Sequence, residues 1–376
     1  MGWTPPPSNG IGVPKWKCQS NHLTRMGASA VNITTVGIDL AKNVFQVHAV
    51  DVRGKLVLRK QLKRDQVSRC FVNLPPCLIG MEACASSHYW GRMLEGFGHT
   101  VRLMAPQFVK PYVKTNKNDM ADAEAICEAV ARPNMRFVPI KSVEQQAVLS
   151  LHRVRQGFVK ARTAQANQIR GLLGEMGLVI PQGIRFIAQR VPGILEDASN
   201  GLPLAFRQLI ERLTNHLKEL KEQVDAIQSQ IVAWDRGCEL SQKLQKIPGI
   251  GPLTATALIA TIADVHSFKN GRQMSAWLGL VPRQKSSGGK PTLLGISKRG
   301  DAYLRTLLIH GARAAIHAAK RRPEGRENSW LAKLLARRHA NIAAVALANK
   351  NARTVWALLA HGRDFDPAYV PVSAVA

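Results

Sequence analysis

Between Phe206 and Trp234, nine apolar residues recur in alternating steps of four and three: Phe206, Ile210, Leu213, Leu217, Leu220, Val224, Ile227, Ile231 and Trp234. This spacing puts all of them on one stripe of a helix about four heptads long, a coiled-coil seam that has to be covered. The preceding stretch, "SVEQQAVLSLHRVRQGFVKARTAQANQIRGLLGEMG", also reads as a long helix, with Arg153, Arg155, Lys160, Arg162 and Arg170 spread along it. The seam can therefore fold back on its own chain or meet a second copy. We expect an antiparallel helical arm over 141–238 whose exposed face also drives oligomerisation.

The flanks differ in kind. "ITTVGIDLA", "VFQVHAVD" and "KLVLRKQL" read as three short strands joined by tight turns, "CLIGMEAC" and "HTVRLMAP" as two more around the helical "SHYWGRMLEGFG". "NDMADAEAICEAVAR" follows as a helix that stops before Pro133. A three-strand meander followed by strand–helix–strand predicts an α/β, ribonuclease-H/RuvC-like domain over 31–140. Residues 239–362 read as a mostly helical C-terminal unit with a glycine-rich interruption. The Pro-rich residues 1–30 are expected to be a disordered leader, with Met26 as a candidate natural start, and 363–376 a disordered tail.

Lys and Arg number 52 against 25 Asp and Glu, a formal net charge of +27. The excess runs along the whole chain rather than along one amphipathic helix, which favours a nucleic acid over a membrane surface as partner. No apolar run is long enough to span a bilayer, and the N-terminus lacks the apolar core of a signal peptide. The six cysteines form no C-x-x-C pair and read as reduced, mostly buried thiols of a cytoplasmic protein.

Against that basic background four acids stand out. Asp39 ends the first predicted strand, Glu82 ends the fourth, and Asp119 and Asp122 lie one helical turn apart. Carboxylates at buried strand ends need a partner or a metal, and oxygen ligands suit Mg²⁺. Two such ions about 4 Å apart clamp a phosphodiester and activate its attacker. Glu124 falls off that face and reads as a surface acid. The neighbouring Lys110, Lys114 and Lys117 are expected to meet nucleic acid.

Two further stretches carry chemistry. In "VPRQKSSGGKPTLLGISKRGD", Ser286 and Ser287 precede a glycine pair among several cations. Composition alone makes this a flexible turn, yet a serine there is placed to meet phosphate. "LQKIPGIGPLTATALIA" fits a helix–hairpin–helix, whose glycine amides can hold a DNA phosphate without reading sequence.

At these residues the chain resembles a known family. "TVGIDLAKNVFQVHAVD", "GMEACASSHYW", "PQFVKPYVKTNKNDMADAEAI", "KIPGIGPLTATAL" and "SSGGKPTLLGISKRGDAYLRTLLIHGARA" resemble the transposases of bacterial insertion-sequence family one-ten, nearest its eleven-eleven subgroup. The resemblance covers about residues 32–362. It implies a RuvC-like DEDD domain, a coiled-coil linker and a C-terminal transposase domain bearing an essential serine. It also implies a structured bridge RNA that pairs with donor and target DNA. Carried over, the acids fall on Asp39, Glu82, Asp119 and Asp122, binding Mg²⁺, and the serine on Ser287, with Ser286 as its alternate. A composite site is then expected, with acids from one subunit and Ser287 from another in a dimer or tetramer, close to the bacterial nucleoid. The rival readings are a metal-only nuclease of the Holliday-junction type and a non-catalytic nucleic-acid-binding protein.

Overall fold

The computed structural model describes residues 32–114, 118–321, 330–367 and 369. The expected leader, Lys117 and most of the expected tail lie outside the described residues.

The N-terminal part is a six-stranded sheet in the order β3-β2-β1-β4-β5-β6. Strands β1 (Thr35–Leu40), β2 (Val44–Val50) and β3 (Leu56–Lys63) form the antiparallel meander, and β1 pairs in parallel with β4 (Leu78–Glu82). Strand β5 (Thr100–Met104) runs parallel to β4, and the two-residue β6 (Phe137–Val138) caps the edge antiparallel to it. The first five strands fall where their apolar runs and alternation put them; β6 was not anticipated.

Helices α1 (Val67–Phe71) and α2 (Ser87–Gly96) cover one face of this sheet. There Ile38, Phe45, Val47, Phe71, Ile79, Met81, Trp90 and Leu94 form a single buried cluster. The short α3 (Pro106–Val109) leads to α4 (Asp119–Val130), which lies on the opposite face with Ala125, Ile126, Ala129 and Val130 buried. Two glycines let α4 lie so close. A Cβ on Gly37 would fall on the carbonyl oxygen of Ala123 and the amide nitrogen of Cys127, and one on Gly80 would meet Val130.

Two 33-residue helices, α5 (Val143–Glu175) and α7 (Leu204–Arg236), form the middle, with α6 (Ile184–Glu196) between them. Hydrogen bonds from His216 to Gln165 (2.9 Å), Arg155 to Gln228 (2.8 Å) and Trp234 to Glu144 (2.8 Å) run in opposite sequence directions, so the pair is antiparallel. Ile210, Leu217, Leu220, Val224 and Ile231 of the periodic stripe are buried against this pairing, so the stripe is covered from within the chain. Ser142 opens α5 with a reciprocal cap to Gln145. The segment between the two long helices contains α6, which accommodates Pro192 and buries Ile187 and Val191.

The C-terminal part has its own core, built by α8 (Glu239–Gln245), α9 (Pro252–Thr261), α10 (Gly271–Trp277), α11 (Ala302–Arg321), α12 (Trp330–Arg337) and α13 (Ala340–His361). The glycine-rich interruption is an antiparallel β-hairpin, β7 (Pro282–Ser287) and β8 (Lys290–Ile296), rather than a loop. The start of the expected disordered tail is held in place: Phe365 packs on this core and Asp364 pairs with Lys246 at 3.2 Å. Among the described residues no helix is long and apolar enough to cross a membrane.

Candidate active site

Asp39 and Gly37 share one face of β1, since alternate strand residues point the same way. With Gly37 under α4, Asp39 is directed at the start of that helix. There Asn118 accepts a hydrogen bond from the Met120 amide at 3.0 Å, fixing the first turn that carries Asp119 and Asp122. Carboxylate oxygens of Asp39, Asp119 and Asp122 consequently lie within 4.8 Å of one another. Asp39 and Asp122 are half-buried and Asp119 is exposed, so the group opens to solvent on one side. The helix N-terminus offsets part of their mutual repulsion.

Glu82 stands on the neighbouring strand. Ile38 pairs with Met81, so Asp39 and Glu82 are the next residues on adjoining strands. Burial, followed by the charges of Glu82 and Asp39, pushes the Cys84 thiol above its ordinary value, which places both carboxylates beside that thiol. Glu82 is not one of the three acids of the tight group. Cys84 itself is exposed and only Cys77 and Cys127 are buried among the described cysteines, fewer than expected.

Glu124 points away from the group, to Arg59 at 3.9 Å and Lys114 at 3.7 Å. Lys114 also reaches Glu128 at 2.9 Å. This exposed lysine is thereby engaged with α4 and ties the approach loop to the helix. The sequence reading passed over Gly37, although a glycine inside an apolar strand two positions before an acid signals close backbone approach.

Ser287 lies elsewhere. Gly288 (φ 56°) and Gly289 (φ 75°) form a two-residue turn with both residues left-handed, and Ser287 pairs with Lys290 across it. Every residue of β7 is exposed, as is β8 up to Gly295. Ser286 accepts a hydrogen bond from the Gln284 amide at 2.7 Å. The hairpin's base, by contrast, is locked. A Cβ on Gly279 would strike the Arg299 carbonyl and one on Gly300 the Trp277 carbonyl, while Arg305 donates to the carbonyls of Leu278 (3.1 Å) and Arg299 (3.0 Å). The serine thus sits at the tip of a projecting finger with a fixed root. The fold brings three of the four acids tightly together, sets Glu82 alongside, and leaves Ser287 exposed in solvent.

Comparison with known proteins now bears on this arrangement. Residues 36–177 match the DEDD transposase model of the IS110 type, and residues 241–327 match the transposase model of the IS116/IS110/IS902 family. The chain is 44% identical over 331 residues to the transposase for insertion sequence element IS1111A of Coxiella burnetii, covering 88% of this chain and 91% of the relative. The chain belongs to the IS110 family of transposases. It is also 42% identical to the transposase for insertion sequence element IS1328 of Yersinia enterocolitica (89% of this chain, 99% of the relative). A protein of Pseudomonas aeruginosa described as a probable family 20 transposase is 52% identical over 90% of this chain and 100% of its own length. An IS110 transposase is an enzyme of DNA recombination, and the DEDD type uses a divalent metal. The aspartate group fits such an ion: three hard oxygen donors, mutually close, partly sheltered and open on one side.

Proposed function

We propose that this IS110 transposase cuts and rejoins DNA at a composite site, with Asp39, Glu82, Asp119 and Asp122 as the metal-binding acids and Ser287 as the nucleophile. The observation that carries the reading is the convergence of Asp39, Asp119 and Asp122 to within 4.8 Å from separate elements. Mg²⁺ bound there would supply Lewis-acid stabilisation of the charge that develops on the scissile phosphate. The acids orient that phosphate and hold the site open on one side. The Ser287 oxygen forms a bond to phosphorus and loses its proton to solvent; one P–O ester bond breaks, and the departing sugar oxygen takes up a proton. The phosphoserine linkage conserves bond energy for rejoining.

An exposed fingertip on a locked root is suited to reaching the acids of another subunit. Oligomerisation, as a dimer or tetramer, is supported by the far end of the α5/α7 arm, where Met176, Val179, Leu204 and Leu209 are exposed. We read that arm as a coiled-coil linker between a RuvC-like domain (31–140) and the C-terminal transposase domain (239–362), with residues 1–30 as a leader. The turn Pro248–Gly251 between α8 and α9 is read as a helix–hairpin–helix that holds backbone phosphate of donor or target DNA. The family resemblance implies a structured bridge RNA that pairs with donor and target DNA, and the net charge of +27 suits polyanionic partners in general. The same charge supports association with the nucleoid.

The test is a recombination assay with trapping of covalent protein–DNA species. Ser287→Ala should abolish adduct and product together, whereas Ser286→Ala should retain both. Loss at Ser286 alone would move the nucleophile by one residue. One observation favours a second reading, hydrolysis by water at the acids alone: the exposure of the whole hairpin. Strand cleavage by Ser287→Ala without any adduct would establish it.

A further inference from the structure

Toward the other face of the sheet, at the same end of its central strands, lies a groove of about 640 Å³ whose lining includes Asn43, Lys63, Arg64, Asp65, Tyr89 and Trp90. Its volume is in the range of small-ligand clefts. Both walls continue from the candidate acids. Asn43 lies in the turn that follows Asp39 and Leu40 at the end of β1, and Tyr89 and Trp90 open α2, the helix that follows Glu82 and β4. Asp39 shares Gly37's face toward α4, whereas Phe45 turns to the opposite face and meets Trp90 edge-on with ring centroids 5.1 Å apart. The acids and the groove therefore lie toward opposite faces at the same end of the central strands.

The groove is built rather than incidental. Trp90 forms its floor, 3% exposed and pinned by Phe45. Arg64 lies over the Trp90 ring at 5.2 Å and donates to the Lys42 carbonyl at 3.3 Å, while its own amide donates to the Asn43 carbonyl at 3.0 Å. Its guanidinium is thus held at the rim with N–H groups to spare. Tyr89 stands edge-on to Trp90, with ring centroids 5.2 Å apart, yet is 46% exposed. Asn43 presents donor and acceptor groups, Asp65 an acceptor, and Lys63 a second cation.

We propose that this groove captures one unpaired nucleotide of the nucleic acid, its base stacked on Tyr89 and its phosphate held by Arg64 and Lys63. The proposal rests on the nucleic-acid reading above and deepens it. A stacking ring, two cations and two side chains for a Watson–Crick edge are together what a splayed-out nucleotide needs. A base in this position cannot remain paired, because Asn43 and Asp65 occupy the edge its partner would use. A strand crossing the ends of β1 and β4 with its scissile phosphate at the aspartates brings a nearby nucleotide over the groove. Strand opening and strand cutting then share one element, the end of β1 with its turn into β2.

The experiment uses the full chain carrying Asp39→Asn, so that binding is read without cutting. Fluorescence anisotropy compares a single-stranded oligodeoxynucleotide, the oligoribonucleotide of the same sequence and the DNA duplex. Tyr89→Ala and Arg64→Ala should each weaken single-strand binding about tenfold, leaving the duplex nearly unchanged, while Tyr89→Phe keeps the parent affinity. A loss confined to the DNA strand or to the RNA strand names the source of the nucleotide, and a loss on both supports the shared chemistry. Tyr89→Ala binding single strands as tightly as the parent, or losing strand and duplex affinity equally, overturns the groove. So does a parent chain that holds duplex but no single strand, a result that leaves the cutting site untouched.

Discussion

A Cβ placed on Gly37 would lie well inside van der Waals contact of the Ala123 carbonyl oxygen, so β1 and α4 meet backbone to backbone. That contact sets the separation between Asp39 on the strand and Asp119 and Asp122 on the helix. Gly37→Ala must push α4 outward or bend β1, and cores resist such insertion at a cost of about 1–3 kcal/mol. We expect a folded protein with a lowered melting temperature and at least a tenfold loss of metal-dependent DNA cleavage, since small displacements of catalytic groups are expensive. Gly54→Ala is the comparison: unlike Gly37, that glycine has positive φ, and nothing lies near its Cβ. It should lose stability through backbone strain while retaining cleavage.

The aspartate group also predicts a thermal signature that does not depend on turnover. A ligand that binds only the folded state stabilises it by about RT ln(1 + [L]/Kd). Millimolar Mg²⁺ should therefore raise the melting temperature of the parent chain, and chelation should reverse the rise. In Asp122→Asn one of the three close carboxylates becomes a neutral amide. The apo protein should be as stable or slightly more so, because like charges no longer repel, and the Mg²⁺-dependent rise should shrink or vanish. An unchanged rise in Asp122→Asn would place the ion elsewhere.

How much of this was legible follows from where the apolar residues lie. The strands β1, β2 and β4 read clearly because Val36, Ile38, Phe45, Val47, Ile79 and Met81 make compact buried apolar runs, with Gly37 and Gly80 between them buried as well. The α7 stripe read clearly because α5 covers it; Asp39 and Glu82 read clearly because each follows an apolar run, and Asp119 and Asp122 because they crowd one helical turn in a basic chain. The β7–β8 hairpin left no such trace. All of β7 is exposed, so its sequence carries no alternation and its glycines look like a plain loop. Helix α6 was hidden by Pro192, and β6 by its two-residue length. The ion pairs of Lys114 with Glu124 and Glu128 depend on how the loop returns to α4, which neighbouring charges alone do not specify.

The fingertip geometry can be tested without touching a serine. Gly289 has φ 75° and nothing within 4 Å of its Cβ position, so the cost of a side chain there comes from backbone conformation alone. A β-branched residue is least tolerant of that region. Gly289→Val should open or re-register the turn and displace Ser287. Because the strands are exposed and the core lies behind the locked root, the melting temperature should hardly move. Adduct formation in the covalent trapping assay should fall severalfold or more. Full adduct yield would detach the tip geometry from the chemistry.

A final prediction concerns pH and the joint between α5 and the C-terminal core. His152 is 1% exposed, with Nδ1 2.9 Å from the Tyr303 hydroxyl and Nε2 3.0 Å from Thr256 Oγ1. Thr256 donates its own proton to the Pro252 carbonyl at 2.7 Å, so its oxygen accepts from Nε2–H. Nδ1 is then left bare to accept from Tyr303, whose oxygen in turn accepts from Arg155. Every proton in this chain is assigned with the imidazole neutral, and a second ring proton would face the Tyr303 donor. Burial, followed by the nearby Arg155 charge, lowers the His152 pKa from 6.5 to about 4. The unfolded chain therefore binds the extra proton first. The stability this site contributes is complete above pH 6.5 and drains away as pH falls from 6.5 toward 4. Its share of the loss at pH 5 is about 2 kcal/mol. His88, also lowered to about 4 by burial and by Lys141, Arg92 and Arg153, adds a smaller share in the same window, being only half-buried. Denaturant titrations at pH 7.5 and 5 should show the midpoint falling in the parent and falling less in His152→Gln. An equal fall in both would move the acid sensitivity to other groups.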